Sequence, residues 1–213
     1  SCATVPLTGR SQLSLIDDQA IREQSVTAYR EFLSDPKTKV IRSGADAQRV
    51  KNVGARIASA INRYMQSNGF GDKYNYAYEF NLIESKDINA WCMPGGKVAV
   101  YTGLLPVTQN DAGLATVMGH EIAHAIAHHA AERMSQMTAA QFGGGVVGAA
   151  VGGSSAGTQQ MVGQLYGLGG QLALLKYSRN QESEADRLGL VFMAMAGYNP
   201  DNAVTFWERM AAA

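Results

Sequence analysis

Residues 111–127 read DAGLATVMGHEIAHAIA, and within them His120-Glu121-Ile122-Ala123-His124 forms the pentad His-Glu-x-x-His. A helix turns about 100° per residue, so positions four apart share a face; the two imidazoles stand one turn apart with a carboxylate beside the first. Leu114, Val117, Met118, Ile122 and Ile126 spread apolar side chains around nearly the whole circumference, which predicts a buried helix. Two imidazoles and a carboxylate in such a helix need partners, because an isolated buried one costs on the order of several kcal/mol. A metal ion shared by the histidines removes that cost. Thr108 followed by Asp111, with Pro106 upstream, reads as a capping box at the helix start.

A catalytic zinc takes three protein ligands and keeps a fourth position open, so a third donor is required. The arrangement with a glycine at 127 and a histidine at 130 is excluded, since both positions are alanine. His128 lies about 12 Å along the helix axis from His120, too far to share an ion bonded at about 2 Å. With His129 it reads as a solvated pair near the helix end, where cationic side chains suit the dipole. Residues 177–200, YSRNQESEADRLGLVFMAMAGYNP, read as a second helix ending near Gly197, with Pro200 as a stop or a new start. Glu182 and Asp186 share one of its faces, whereas Glu184 points away, about 200° round. That face is the candidate source of the missing donor; a solvated acidic turn near a helix N-terminus is the alternative reading.

Four segments, NAWCMPGGKVAVYTGLL from Asn89, HEIAH, YSRNQESEADRLG and AGYNP, agree in content and order with one family. Over roughly Tyr74 to Met210 the chain resembles the M48 zinc metallopeptidases, gluzincins that include the CAAX prenyl protease and bacterial periplasmic peptidases. The resemblance implies an α+β fold: a mainly helical, zincin-like metallopeptidase domain with a small β-sheet whose edge strand borders the active-site cleft. It implies one zinc ion per chain, with Glu182 joining His120 and His124 as ligands and Asp186 orienting a ligand histidine, a support that also raises ligand basicity. Two neutral imidazoles and one carboxylate leave such a centre with a net charge of about +1, suited to catalysis. Glu121 is then the general base, taking the proton of the attacking water and passing it to the leaving amine. Members of the family commonly carry a His-Pro motif and an arginine after the glutamate helix. No histidine follows His129, so either the chain is cut short or another group, Tyr177 or Arg179, takes that part.

Tyr76 to Ile83 and Lys97 to Leu104 carry enough aromatic and branched residues to be strands, with Pro94-Gly95-Gly96 as the intervening turn. Gluzincins generally offer an edge strand to which an extended substrate adds as one more strand. That edge is assigned to Val98, Ala99, Val100 and Tyr101, and the resemblance puts Asn89 and Ala90 near the cleft; a hairpin that only covers the core is the alternative. Ser14 to Leu33 and Ala45 to Gln66 read as amphipathic helices preceding the strands.

The chain of 213 residues suits a single domain and shows no tandem repeat. Its formal net charge is zero, and no basic stripe or RNA-binding motif points to nucleic acid. Ser1-Cys2-Ala3-Thr4 resembles the mature start of a bacterial lipoprotein, with residues 1–13 as a linker. A lipidated Cys2 would tether the protein to a membrane from the periplasmic side of the bacterial envelope. Cys92 reads as a small buried apolar side chain, and with no Cys-x-x-Cys pair there is no structural zinc site. Residues 134–175 contain no charge and are rich in Gly, Ala, Ser and Gln; the expectation for them is a mobile helical hairpin or lid between the two ligand helices. The functional expectation is a zinc endopeptidase acting on unfolded or misassembled envelope proteins. Its alternative is a noncatalytic or chaperone-like binding module that keeps the zinc. Oligomeric state is open on sequence grounds.

Overall fold

The structure, a computed structural model, describes residues 2–142 and 176–213. The expected lid falls largely on residues 143–175, outside the described residues. Its first part is described: Met134 and Ser135 are buried in a helix that runs on from His129. The chain forms two compact units, one gathering Ser1–Thr38, Met93–Gly95 and His124–Glu182, the other Lys39–Cys92, Gly96–Ala123 and Ser183–Ala213.

In the first unit the expected N-terminal linker is instead a hairpin. Strands β1 (Cys2–Thr4) and β2 (Ser11–Leu13) pair antiparallel, with Ala3 opposite Gln12. Its anchors are polar: the buried Gln12 side-chain amide donates to the Ala127 carbonyl at 2.9 Å, and the half-buried Arg10 guanidinium makes two 2.7 Å bonds to the buried Glu132. Paired donors of this kind order a segment whose composition alone reads as a tail. Helix α1 (Asp18–Ser34) starts at Asp17, whose side chain accepts the Gln19 N–H, and buries Ile21, Ala28, Tyr29 and Phe32 along one stripe. Large apolar side chains such as Ile21 and Phe32 contribute about 1.5–3 kcal/mol each when fully buried.

The second unit is built on helix α2 (Ala45–Ser67) against a four-stranded sheet. Val50, Val53, Ile57, Ile61 and Met65 recur every three or four residues and form its buried stripe. The strands are β3 (Val40–Ile41), β4 (Glu79–Ile83), β5 (Ala90–Met93) and β6 (Lys97–Tyr101), in spatial order β3-β4-β6-β5. Here two expectations are corrected. The Pro94-Gly95-Gly96 turn joins β6 to β5, a strand the sequence reading left out, and not to β4, which lies parallel to β6 with Phe80 opposite Val98. Parallel neighbours cannot be joined by a tight turn, and β5 supplies the intervening strand. Both glycines of the turn have φ near +90°, a conformation that suits glycine. Consequently Val98, Ala99, Val100 and Tyr101 do not form an edge: β6 has a strand on each side and is buried throughout. A continuous apolar run is what a strand covered on both faces shows, and the Val-Ala-Val core of β6 is such a run. Among the described residues the edge beyond β6 is β5, so Asn89 and Ala90 are the expected cleft residues that sit at an edge.

After a short helical turn at Thr102–Leu104 and helix α3 (Leu105–Thr108), helix α4 (Asp111–Ile126) begins. Its cap is Asn110, not Thr108: Asn110 Oδ1 accepts the Gly113 N–H at 2.9 Å, while the Thr108 hydroxyl donates back to Leu105 in α3. Asparagine at the position before Asp111 outcompetes the more distant threonine because only it reaches the free N–H groups of the first turn. Helix α5 (His129–Phe142) follows α4, helix α6 (Arg179–Met195) ends before Gly197, and helix α7 (Asn202–Ala212) buries Ala203 and Phe206. Arg209 of α7 donates to the carbonyls of Val107 and Thr108 and so ties α7 to the end of α3.

Candidate metal centre

Helix α4 is as buried as its composition predicts, and His120 and His124 are 6% and 3% exposed. Helix α6 runs antiparallel to it. Thr116 meets Met193, the backbones of Gly119 and Gly189 touch, and His120 meets Asp186. With neither glycine carrying a side chain, the helices approach closely enough for short carboxylates on α6 to reach the imidazoles on α4.

The pairing is i,i+4 on both helices. His120 Nδ1 lies 2.8 Å from Asp186 Oδ1, at ion-pair distance though off the line of a hydrogen bond, and His124 Nε2 lies 3.1 Å from Glu182 Oε1. One ligand atom each from His120, His124 and Glu182 lie within 4.8 Å of one another. Glu182 and Asp186 are about half exposed on that shared face, while Glu184 is 1% exposed and points into the protein. The sequence reading turned Glu184 away from the site, and the structure gives it a buried place.

This donor set fits zinc. The ion takes two imidazoles and a carboxylate at about 2.0–2.2 Å, and a half-exposed carboxylate can move in to close the set. The far nitrogen of each imidazole already has an orienting neighbour, Asp186 for His120 and His129 for His124, as metal-binding histidines require. Glu121 follows His120 and is partly exposed. Burial first, and then the Glu121 charge, push the Cys92 thiol up, which keeps Cys92 a neutral apolar filler.

Two neighbours of the site, His129 and Trp207, were not legible. His128 and His129 are not a solvated pair: the backbone breaks at His128, with φ +52°, and His129 starts α5 fully buried against His124. His128 turns to Asp18 at 3.4 Å, and that carboxyl is raised by burial, an effect the His128 and Arg22 charges oppose. Trp207 of α7 stands edge-on to the His120 ring at 5.3 Å; its position after the core residue Phe206 carried no signal of this. Tyr177, one of the two residues expected to stand in for the family arginine, stacks on the His124 ring at 4.1 Å. Arg179, the other, is exposed in the first turn of α6.

A mainly helical α+β fold with His-Glu-x-x-His on one helix and a carboxylate donor on a second is zincin-like. The chain belongs to peptidase family M48, whose match spans residues 49–213. It is similar to the mitochondrial metalloendopeptidase OMA1 of Schizosaccharomyces pombe, 30% identical over 98% of this chain and 57% of the relative. It is similar also to OMA1 of Arabidopsis thaliana, 35% identical over 63% of this chain and 26% of the relative. The beta-barrel assembly-enhancing protease of Escherichia coli is 29% identical over 76% of this chain and 32% of its own length. The chain thus spans between about a quarter and just over half of these relatives.

Proposed function

We propose that this chain is the catalytic domain of a zinc metalloendopeptidase, with His120, His124 and Glu182 as the ligands of one zinc ion. The observation that carries this is the convergence of those three donors with Asp186 behind His120 and Glu121 beside it. Bound there, zinc supplies a Lewis acid that polarises the scissile carbonyl and acidifies water. Glu121 accepts the proton of the attacking water on its carboxylate and delivers it to the departing amine nitrogen, so the leaving group departs neutral. The Asp186 carboxylate, 2.8 Å from His120 Nδ1, favours the tautomer with its proton there and leaves Nε2 as the donor nitrogen.

The substrate is an extended polypeptide that adds along β5, from Asn89 and Ala90, where backbone hydrogen bonding gives affinity without demanding a sequence. The place of β5 at the sheet edge among the described residues supports this placement. Unfolded or misassembled envelope proteins are the substrates of choice, since such chains present free extended segments; one relative is named for assisting β-barrel assembly. Cys2 is exposed at the start of the hairpin, open to lipidation and hence to a tether on the periplasmic face of a bacterial membrane. Among the described residues no helix is long and apolar enough to cross a membrane.

Metal analysis combined with casein cleavage by the unaltered chain and by Glu121→Gln tests the reading. Stoichiometric zinc in both and cleavage reduced by about 10²–10⁴-fold in the variant are expected. Cleavage retained in Glu121→Gln would sink the mechanism, and zinc without cleavage in either would favour the binding module.

A further inference from the structure

We propose that His129 is a positioning residue for His124, fixing the tautomer and plane in which His124 presents Nε2 to a metal. The inference rests on the metal-centre reading above and adds a residue to it.

His124 has a neighbour at each ring nitrogen. Nε2 faces Glu182 Oε1 at 3.1 Å, and Nδ1 lies 2.8 Å from Nδ1 of His129, with the rings inclined at 67°. A nitrogen that gives its lone pair to a metal leaves the proton on the other nitrogen, so His124 carries hydrogen at Nδ1 and donates. His129 Nδ1 must then accept, which places its own proton on Nε2 and makes it a neutral imidazole. His120 is supported differently, by the Asp186 carboxylate. One anion and one neutral acceptor fix both tautomers, and the centre carries a single supporting negative charge instead of two. That leaves the bound ion more electrophilic than a second carboxylate would.

The placement of His129 is itself built. His128 adopts φ +52°, which ends one helix and lets His129 open the next, and His129 is 0% exposed. Its carbonyl accepts from Gln181 Nε2 at 3.1 Å, and the same amide donates to Glu132, which Arg10 grips with two bonds. Gln181 precedes Glu182 on α6, so one turn of that helix supplies both the carboxylate facing His124 Nε2 and the amide that seats His129. Tyr177, stacked on His124, limits rotation of the ring from a third side.

The test is zinc affinity, measured by chelator competition, for the unaltered chain, His129→Asn, His129→Gln and His129→Phe, each checked for folding by circular dichroism. The side-chain oxygen of asparagine can occupy the place of Nδ1, whereas that of glutamine reaches the place of Nε2. Affinity about 10–100-fold weaker in His129→Phe and His129→Gln, with most of it recovered in His129→Asn, is expected. The visible spectrum of the cobalt-substituted protein shifts in the same order. Equal affinity in His129→Asn and His129→Gln overturns the proposal even where His129→Phe fails to fold. An unaltered chain that binds no zinc overturns the metal-centre reading, and this inference with it.

Discussion

Gly119 and Gly189 face each other where α4 and α6 cross, with no room for a methyl group on either: a Cβ on Gly119 would lie 2.9 Å from the Gly189 carbonyl oxygen, and one on Gly189 would lie 2.8 Å from the His120 nitrogen. In an unobstructed helix Gly→Ala stabilises by roughly 0.5–1 kcal/mol. Here the clash is with backbone, which cannot swing aside, and overpacking of this kind costs about 1–3 kcal/mol. Gly189→Ala should therefore be net destabilising in a urea melt. Because the shift separates His120 from Asp186, zinc affinity should fall with it. A variant at least as stable as the parent would show that the crossing has slack.

Asp186 lies 2.8 Å from His120 Nδ1 and is half exposed, so on the proposed reading its loss should act on the site and spare the fold. Asp186→Ala is expected to weaken zinc binding toward the upper end of about 10–100-fold, and Asp186→Asn less, because the amide oxygen keeps an acceptor within reach of Nδ1. Thermal midpoints of the two zinc-free variants should match the parent. Unchanged zinc affinity in Asp186→Ala would remove Asp186 from the account.

How much of this was readable follows from range along the chain. The pentad and the Glu182/Asp186 face are local i,i+4 patterns, and helical periodicity displays them directly. The buried stripe of α2 was legible for the same reason. Sheet order is not local. The run NAWCM reads as a segment before a turn, and only pairing in space reveals β5 as the strand next to β6. His129 was misread because helix α4 was extended through it; one residue at positive φ reversed its exposure, and nothing in His128 as a residue type announces that. The hairpin at residues 2–13 was missed because its anchors, Glu132 and the Ala127 carbonyl, lie more than a hundred residues away.

The proposed substrate strand depends on a cross-strand bond. Trp91 in β5 donates its indole N–H to the Tyr101 hydroxyl in β6 at 2.9 Å, and both side chains are buried. Tyr101→Phe leaves that N–H without its acceptor, at a cost of about 1–3 kcal/mol. A loosened β5 should raise KM for a peptide substrate while zinc stoichiometry stays at that of the parent. An unaltered KM in a variant that is measurably less stable would detach β5 from substrate binding.

The Arg10–Glu132 pair makes the first unit acid-sensitive. Burial alone would raise the Glu132 carboxyl, but hydrogen bonds from Arg10 and Gln181, with the charge of Arg10, outweigh it and hold the group below the usual carboxylate range. A lowered folded value means that the stabilisation is fully present above the unfolded value of about 4.3 and is lost as pH falls through the folded value. Arg10 is about a third exposed, so water screens part of the attraction, whereas Glu132 is nearly enclosed. Glu132→Gln should thus be less stable at pH 7 by about 2 kcal/mol, the cost of losing a charge-assisted bidentate pair. Below about pH 4.3 the difference should shrink, because the parent then protonates and loses the same interaction. Urea midpoints of both proteins between pH 3 and 7 measure this directly, and a gap that stays constant with pH would show that Glu132 does not ionise differently in the folded and unfolded chains.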